Sequence, residues 1–269
     1  MTETTTDTAP PGNAAGDGWI RPTDGVSMVW VPGATFAMGS GDTLAPDSEF
    51  PRSQVTLGGF WIDRTELTNA AYLQCVEADT CREGHYANNP AFNGPDHPVV
   101  GVSWDDAAAY CAWAGAALPT EAQWEYAAHG PDGLIYPWGN DIDPSRTNLC
   151  DVNCEEPWAD PASDDGYAET APVGTYPNGA GWAGTLDQAG NVWEWVHDWY
   201  ADYSGDALID PTGPDDGRFK VIRGGCSAND PGGVRGAYRL ENGGSISPGT
   251  RHSNLGFRCV SRSAHPRAG

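Results

Sequence analysis

The chain has 269 residues, 39% hydrophobic and 19% charged, with 35 glycines, 22 prolines, 12 tryptophans and 10 tyrosines. Glycine and proline at this density exclude a coiled coil or helical repeat, the aromatic content argues against disorder, and a mean hydropathy of -0.49 with no long apolar run excludes a membrane-spanning helix. Fourteen basic against 37 acidic residues give a net charge of -23, which repels nucleic acid and anionic membrane and favours cations or cationic partners.

The elements follow in chain order within one large domain. Residues 1–24 read as a flexible Thr/Pro/Gly/Ala-rich leader without an apolar signal-peptide core, and the domain is expected over 25–262 with a tail at 263–269. From Val26 to Gly39 apolar and small residues alternate around a Pro-Gly turn, as in a β-hairpin, and a second strand follows from Val55 to Asp63. Glu66 to Ala78 has a helical apolar rhythm. Ser103 with Asp106 and Thr120 with Gln123 form capping-box patterns that open two further helices, ended by Gly115 and Gly130. Residues 131–214 show little periodicity over a length too great for an idle loop, so something other than a hydrogen-bond ladder must order them. Lys220 to Arg223 and Gly256 to Val260 read as short strands that bracket a Gly/Ser/Asn-rich excursion.

Charge and cysteine are unevenly placed. Residues 218–269 hold nine basic residues against Asp230 and Glu241, a net of +7, which leaves -30 for the rest. That segment is either a cationic groove or a set of arginines paired internally with the acidic body. Such acidity is also compatible with adaptation to high salt. Of seven cysteines, Cys75/Cys81 and Cys150/Cys154 are spaced for loop-closing disulfides, which suit an extracytoplasmic compartment; neither is a CxxC and no histidine stands beside either, so a thiolate metal site is disfavoured. Acidic residues and glycines in irregular chain are also the ingredients of calcium sites. Asp187 and Glu194 with the carbonyls of Gly190 and Val192 form one candidate set. Asn148 and Asp165 with the carbonyls of Leu149 and Tyr167 form another, and solvated acidic turns are the plainer reading of both.

The succession MVWVPGATFAMGS, DRTELTNAAYLQC, HPVVGVSWDDAAAYCAWAGAALPTEAQWEYAAHG, PWGN, DQAGNVWEWVHDWY, VIRGG and NLGFRC resembles the formylglycine-generating enzyme, or sulfatase-modifying factor, family from about Val26 to Val260. The resemblance implies an α+β C-type-lectin-like fold with low regular secondary structure, short strands and a few helices. It further implies two structural Ca²⁺ sites on the residues just named and a Cys111–Cys259 disulfide, which leaves Cys226 unpaired. Catalytic members carry two cysteines three and eight residues beyond the serine of a GGS motif, where they bind Cu(I) and the substrate thiol. Here Cys226 stands at the serine position and the two cysteine positions hold Asn229 and Val234. An amide and an isopropyl group supply no thiolate, so copper is not expected, and Cys226 is the one weak catalytic candidate.

These residues predict a non-catalytic, calcium-stabilised, secreted or surface-attached recognition module whose groove holds a protein or small-molecule ligand. The groove residues expected are Cys226, Asn229, Arg235, Tyr238, Arg239, Asn242, Arg251, His252 and Asn254. The competing expectation is an oxygen-dependent oxidoreductase acting on a cysteine or small thiol. Cys226 reads as a buried small hydrophobe, an intermolecular disulfide partner, or a thiol paired with His252 as base.

Overall fold

A computed structural model describes residues 9–43, 45–240 and 246–262. Among these residues ten short strands, three α-helices and four single-turn 3-10 helices are held in long stretches of irregular chain. Strands β1 (Gly18–Ile20), β2 (Ser27–Val31), β5 (Phe60–Asp63) and β10 (Val260–Arg262) form an antiparallel sheet in that order, so the two ends of the described chain meet in one sheet. Strands β3 (Thr35–Met38), β4 (Ser53–Thr56) and β7 (Leu208–Ile209) form a second. In the third, β6 (Trp193–Trp199) is central, antiparallel to β8 (Lys220–Arg223) and parallel to β9 (Leu255–Phe257).

Several expectations are corrected here. The run Val26–Gly39 is not a hairpin: β2 and β3 join different sheets, because Pro32 and Gly33 redirect the chain and each strand finds its partner further on. The strand expected over Val55–Asp63 is interrupted at Gly58–Gly59, and its two halves also serve separate sheets. The strand expected over Gly256–Val260 likewise divides into β9 and β10. The expected leader is packed from Ala9 onward: Ala9 is buried with Met28, Trp30 and Trp61, the Trp61 indole donates to the Pro10 carbonyl at 2.7 Å, and Arg21 is fully buried on Asp24 and Asp63. The aperiodic stretch 131–214 contains β6, in which Glu194 and Asp198 alternate with Trp193, Trp195 and Trp199 yet are themselves buried, so its polar positions do not mark a solvent face.

Helix α1 (Asn69–Glu77) is capped by Thr68, while α2 (Trp104–Trp113) and α3 (Glu121–His129) open on the expected capping boxes of Ser103/Asp106 and Thr120/Gln123. The main core packs α1 and α2 on the third sheet, with Tyr72, Tyr110 and Phe257 in mutual ring contact around the Cys111–Cys259 bond. Two further disulfides, Cys75–Cys81 and Cys150–Cys154, close short loops.

All nine residues of α3 are buried. A helix with a polar sequence in that position must find partners for every charge it carries. Glu125 receives the Arg223 guanidinium and the Gly39 amide at 2.6 Å; Glu121 receives Arg239 at 2.9 Å. Burial would push the Glu125 carboxyl up, but Arg223 and His129 hold it down to about 2. Lys220, the chain's single lysine, lies between the rings of Trp104 and Trp199, 3.8 and 3.9 Å from their centroids, and donates to the His197 carbonyl at 2.7 Å.

Candidate functional site

The Arg-rich C-terminal segment is threaded through the fold, and its cations are mostly spent internally. Arg223 donates to the carbonyls of Gly236, Ala237 and Tyr238 besides Glu125, and Arg239 reaches Glu121 and the carbonyls of Ser48 and Ala201. Arg258 forks onto Glu194, with both contacts at 2.7 Å. Arg235 forks onto Glu49 at 2.9 and 2.7 Å, and Arg251 pairs with Asp106. The cationic groove is therefore absent among the described residues, because each of these arginines offsets a buried or half-buried carboxylate that the acidic body supplies.

These bonds fix where the expected groove residues lie. Asn229, Arg235 and Tyr238 line a cleft of about 540 Å³ together with Asp42, Trp158 and Asp230. Arg239 is not a groove residue: it is fully buried beneath the rings of Tyr200 and Tyr203. Cys226 is also buried, and Asn254 donates to its sulfur at 3.4 Å. Arg251 is turned to Asp106 on α2, and His252 is exposed, its carbonyl accepting the Gly101 amide. Asn242 lies outside the described residues. Trp158 and Asp42, which complete the cleft, carry no sequence signal beyond an aromatic and an acid in irregular chain.

Asn229 and Val234, at the positions where the resemblance would place thiols, both serve the fold. The side-chain oxygen of Asn229 accepts the Cys226 amide at 2.9 Å and faces its sulfur at 3.3 Å. Val234 is completely buried with Tyr136, Leu149 and Ala189. Gly225 has φ +73, and a Cβ there would lie 2.5 Å from the Gly233 carbonyl, so the short turn Pro231–Val234 packs directly on backbone. Burial pushes the Cys226 thiol up to about 11, leaving almost no thiolate at neutral pH. Its pairing with a base at His252 finds no support, since the sulfur's neighbours are Asn229, Asn254 and Trp193.

The two candidate cation sites differ. In the first, the Asn148 side-chain nitrogen is committed to the Glu169 carbonyl at 2.8 Å and Asn191 Oδ1 at 3.1 Å, which fixes the amide and leaves Asn148 Oδ1 buried without a hydrogen-bond partner. Burial pushes the adjacent Asp165 carboxyl up to about 6, although the Tyr167 and Leu149 amides donate to it. An orphaned amide oxygen and an under-compensated carboxylate are hard oxygen donors that suit Ca²⁺. Leu149 and Tyr167 both border the Asp165 carboxyl. In the second, Glu194 accepts the Arg258 fork and the Trp124 indole at 2.8 Å. Burial pushes Asp187 up to about 6, and the sequence gives no hint of Glu66, a neighbouring carboxyl that burial and Asp187 push well above its usual range. Glu66, Asp187 and Glu194 all act on the single guanidinium of Arg258, near the turn at Gly190 (φ +80), where a side chain would strike the Asn148 carbonyl; among the described residues no three acidic, histidine or cysteine side chains converge as a metal-holding group.

Comparison with known proteins bears on the family and the fold. The sulfatase-modifying factor enzyme 1-like domain family matches residues 20–263. The chain is 36% identical to the formylglycine-generating enzyme of Streptomyces coelicolor, over 94% of this chain and 93% of that one. It is 31% identical to the inactive C-alpha-formylglycine-generating enzyme 2 of Bos taurus, over 92% and 93% of the two chains. Among solved structures, Treponema denticola variable protein 1 superposes with a TM-score of 0.73 at 23% identity, covering 91% of this chain and 98% of that one. The fold is accordingly an α+β, C-type-lectin-like one, and the chain belongs to the sulfatase-modifying factor family that includes the formylglycine-generating enzymes.

Proposed function

We propose that this chain is a non-catalytic recognition module of its family, stabilised by calcium, working outside the cytoplasm, and binding a protein or small-molecule ligand in the cleft beside Asn229, Arg235 and Tyr238. One observation supports the reading: Asn229 and Val234, where the resemblance would place thiols, are an amide that organises a turn and a fully buried isopropyl group, while the neighbouring Cys226 thiol is itself buried and pushed up by that burial. Copper(I) needs soft thiolate donors, and none is presented to the cleft by the described residues. Three disulfides support an oxidising compartment. Calcium would hold Asn148 and Asp165 together at the first site and Asp187 with Glu66 at the second; when bound it supplies positive charge to carboxyls that burial otherwise disfavours.

The 36% identity to a formylglycine-generating enzyme favours the competing oxidoreductase reading, and one assay separates the two. Purified protein is loaded with Cu(I) and incubated with oxygen and a cysteine-containing peptide, and aldehyde is measured by mass spectrometry. The recognition reading expects no copper-dependent aldehyde and no stoichiometric copper retained per chain. Turnover above the copper-only background would replace it with the oxidase reading.

A further inference from the structure

A cavity of about 270 Å³ opens where the link between α2 and α3 meets β6 and β10, and none of its lining residues belongs to the cleft beside Asn229. Its polar lining is made of donors. The Ser261 hydroxyl on β10 is buried and has no hydrogen-bond partner, which costs stability until something accepts from it. Its neighbour Arg262 is exposed, and among the described residues no carboxylate pairs with it, whereas Arg223, Arg235, Arg239, Arg251 and Arg258 each have one. Thr120 and Gln123 accept each other's backbone amides at 3.2 and 2.9 Å in their capping box, which leaves the hydroxyl proton of one and the NH₂ of the other to donate. Partial burial and the Lys220 ammonium push the His197 ring down, so at neutral pH it is an uncharged imidazole with one N–H. No carboxylate lines this cavity in a chain with 37 acidic residues; the adjacent Asp198 accepts the Glu121 amide at 2.8 Å and borders a different hollow. Ala117, Leu118 and Val260 make the remaining wall aliphatic.

We infer that this cavity binds a small apolar monocarboxylate, free or as the carboxyl-terminal residue of a peptide, with its charge on the Arg262 guanidinium and the Ser261 hydroxyl and its aliphatic body against Leu118 and Val260. A guanidinium presents the planar fork that a carboxylate matches, and such charge-assisted bonds are about twice as strong as neutral ones. At about 30 Å³ per water the cavity has the volume of about nine waters, which suits an acid of about seven to ten non-hydrogen atoms and is too small for a nucleotide. The chain's charge of -23 repels anions in general, so selectivity must come from this local, acid-free wall. The inference does not depend on what the cleft beside Asn229 binds.

The test uses the intact protein, titrated by NMR on the His197 ring resonances with isovalerate, isovaleramide, acetate and the tripeptide acetyl-Gly-Gly-Val. Isovalerate is expected to bind with a Kd of about 1 mM, and its amide, which lacks the charge, at least about fivefold more weakly. Acetate, which lacks the aliphatic body, should also be at least about fivefold weaker. Arg262→Gln should weaken isovalerate about fivefold to tenfold and Ser261→Ala about threefold, the latter without lowering Tm because the hydroxyl it removes has no partner. Arg52→Gln, an equal change in net charge at an exposed residue outside the cavity, should leave affinity unchanged. A tripeptide that binds more tightly than isovalerate identifies a chain terminus as the ligand, and the reverse order identifies a free acid; both support the assignment. It is overturned if the amide binds as well as the acid, if Arg262→Gln leaves affinity intact, if Arg52→Gln weakens binding as much as Arg262→Gln, or if no probe moves the His197 resonances. The copper-dependent aldehyde assay is indifferent to all of these, so the two readings fail separately.

Discussion

Replacing Arg223 by methionine removes the cation that lets α3 be buried. The guanidinium is wholly inaccessible, pairs with a Glu125 that is equally buried, and holds the carbonyls of Gly236 at 2.9 Å, Ala237 at 3.1 Å and Tyr238 at 2.8 Å. Breaking one side of a buried pair costs about 3–5 kcal/mol, and the three abandoned carbonyls keep the loss toward the upper end of that range. For a chain of this length each kcal/mol lowers Tm by about 2–4 °C, so R223M is expected to melt about 6–20 °C lower. The double variant R223M/E125Q should recover at least about 2 kcal/mol of the summed single losses, because the introduced amide keeps an oxygen for the Gly39 N–H and leaves no uncompensated charge. Urea unfolding at pH 7 of the four proteins of the cycle gives the numbers. A loss below about 1 kcal/mol in R223M, or strict additivity in the double variant, would refute the claim that this ion pair makes the buried helix possible.

Four further outcomes are expected. Chelation with EDTA should lower Tm, since a ligand present at about 100 times its Kd adds about 2.7 kcal/mol to the folded state, and Asn148→Ala should weaken the calcium response; a melting curve indifferent to EDTA removes the calcium assignment. Burial, reinforced by Glu121, pushes the Asp198 carboxyl up to about 7, well above its unfolded value near 3.8. Its contribution is therefore full below about pH 4 and is lost as pH rises toward 7, so Asp198→Asn should raise Tm at pH 8 and leave it unchanged at pH 4, in thermal melts across that range. Serine at both Cys111 and Cys259, whose bond spans 148 residues, should cost up to about 5 kcal/mol in denaturant unfolding, and a loss under about 1 kcal/mol would show that the reduced core holds itself. Native protein should react with a thiol reagent at pH 8 far more slowly than unfolded protein, which should reveal one thiol; fast native labelling would contradict the burial of Cys226.

Features enforced by neighbours in sequence were legible before the structure. The capping boxes at Ser103 and Thr120 could be read because each pairs a side chain with backbone three residues away. The close pairs Cys75/Cys81 and Cys150/Cys154 were readable on the same ground. What escaped depends on distant chain. Strand β6 carries its acids Glu194 and Asp198 on a buried face, so polarity there does not point to solvent, and β2 and β3 part company because their partners lie at Phe60–Asp63 and Ser53–Thr56. In the candidate site, the residue types at Asn229 and Val234 could be read directly. Glu66 was not, since nothing in its surroundings along the chain says that it will face Asp187, 121 residues further on. The fate of the arginines was visible only as a choice between groove and internal pairing, and burial decided it: Arg223, Arg239 and Arg258 reach carboxylates that no spacing rule would connect to them.

The enclosure of Lys220 between Trp104 and Trp199 has a practical consequence for chemistry on this molecule. Burial brings that ammonium down to about 8, so at mildly alkaline pH much of it is the neutral, nucleophilic amine, yet 3% exposure denies reagents a path to it. The folded chain thus has no accessible lysine side chain for acylating dyes, cross-linkers or surface-coupling esters, and immobilisation through lysine amines would select molecules in which the Trp104–Trp199 sandwich has opened. The rate at which Lys220 acquires an acyl label therefore measures how often strand β8 and the start of α2 separate, without any added probe.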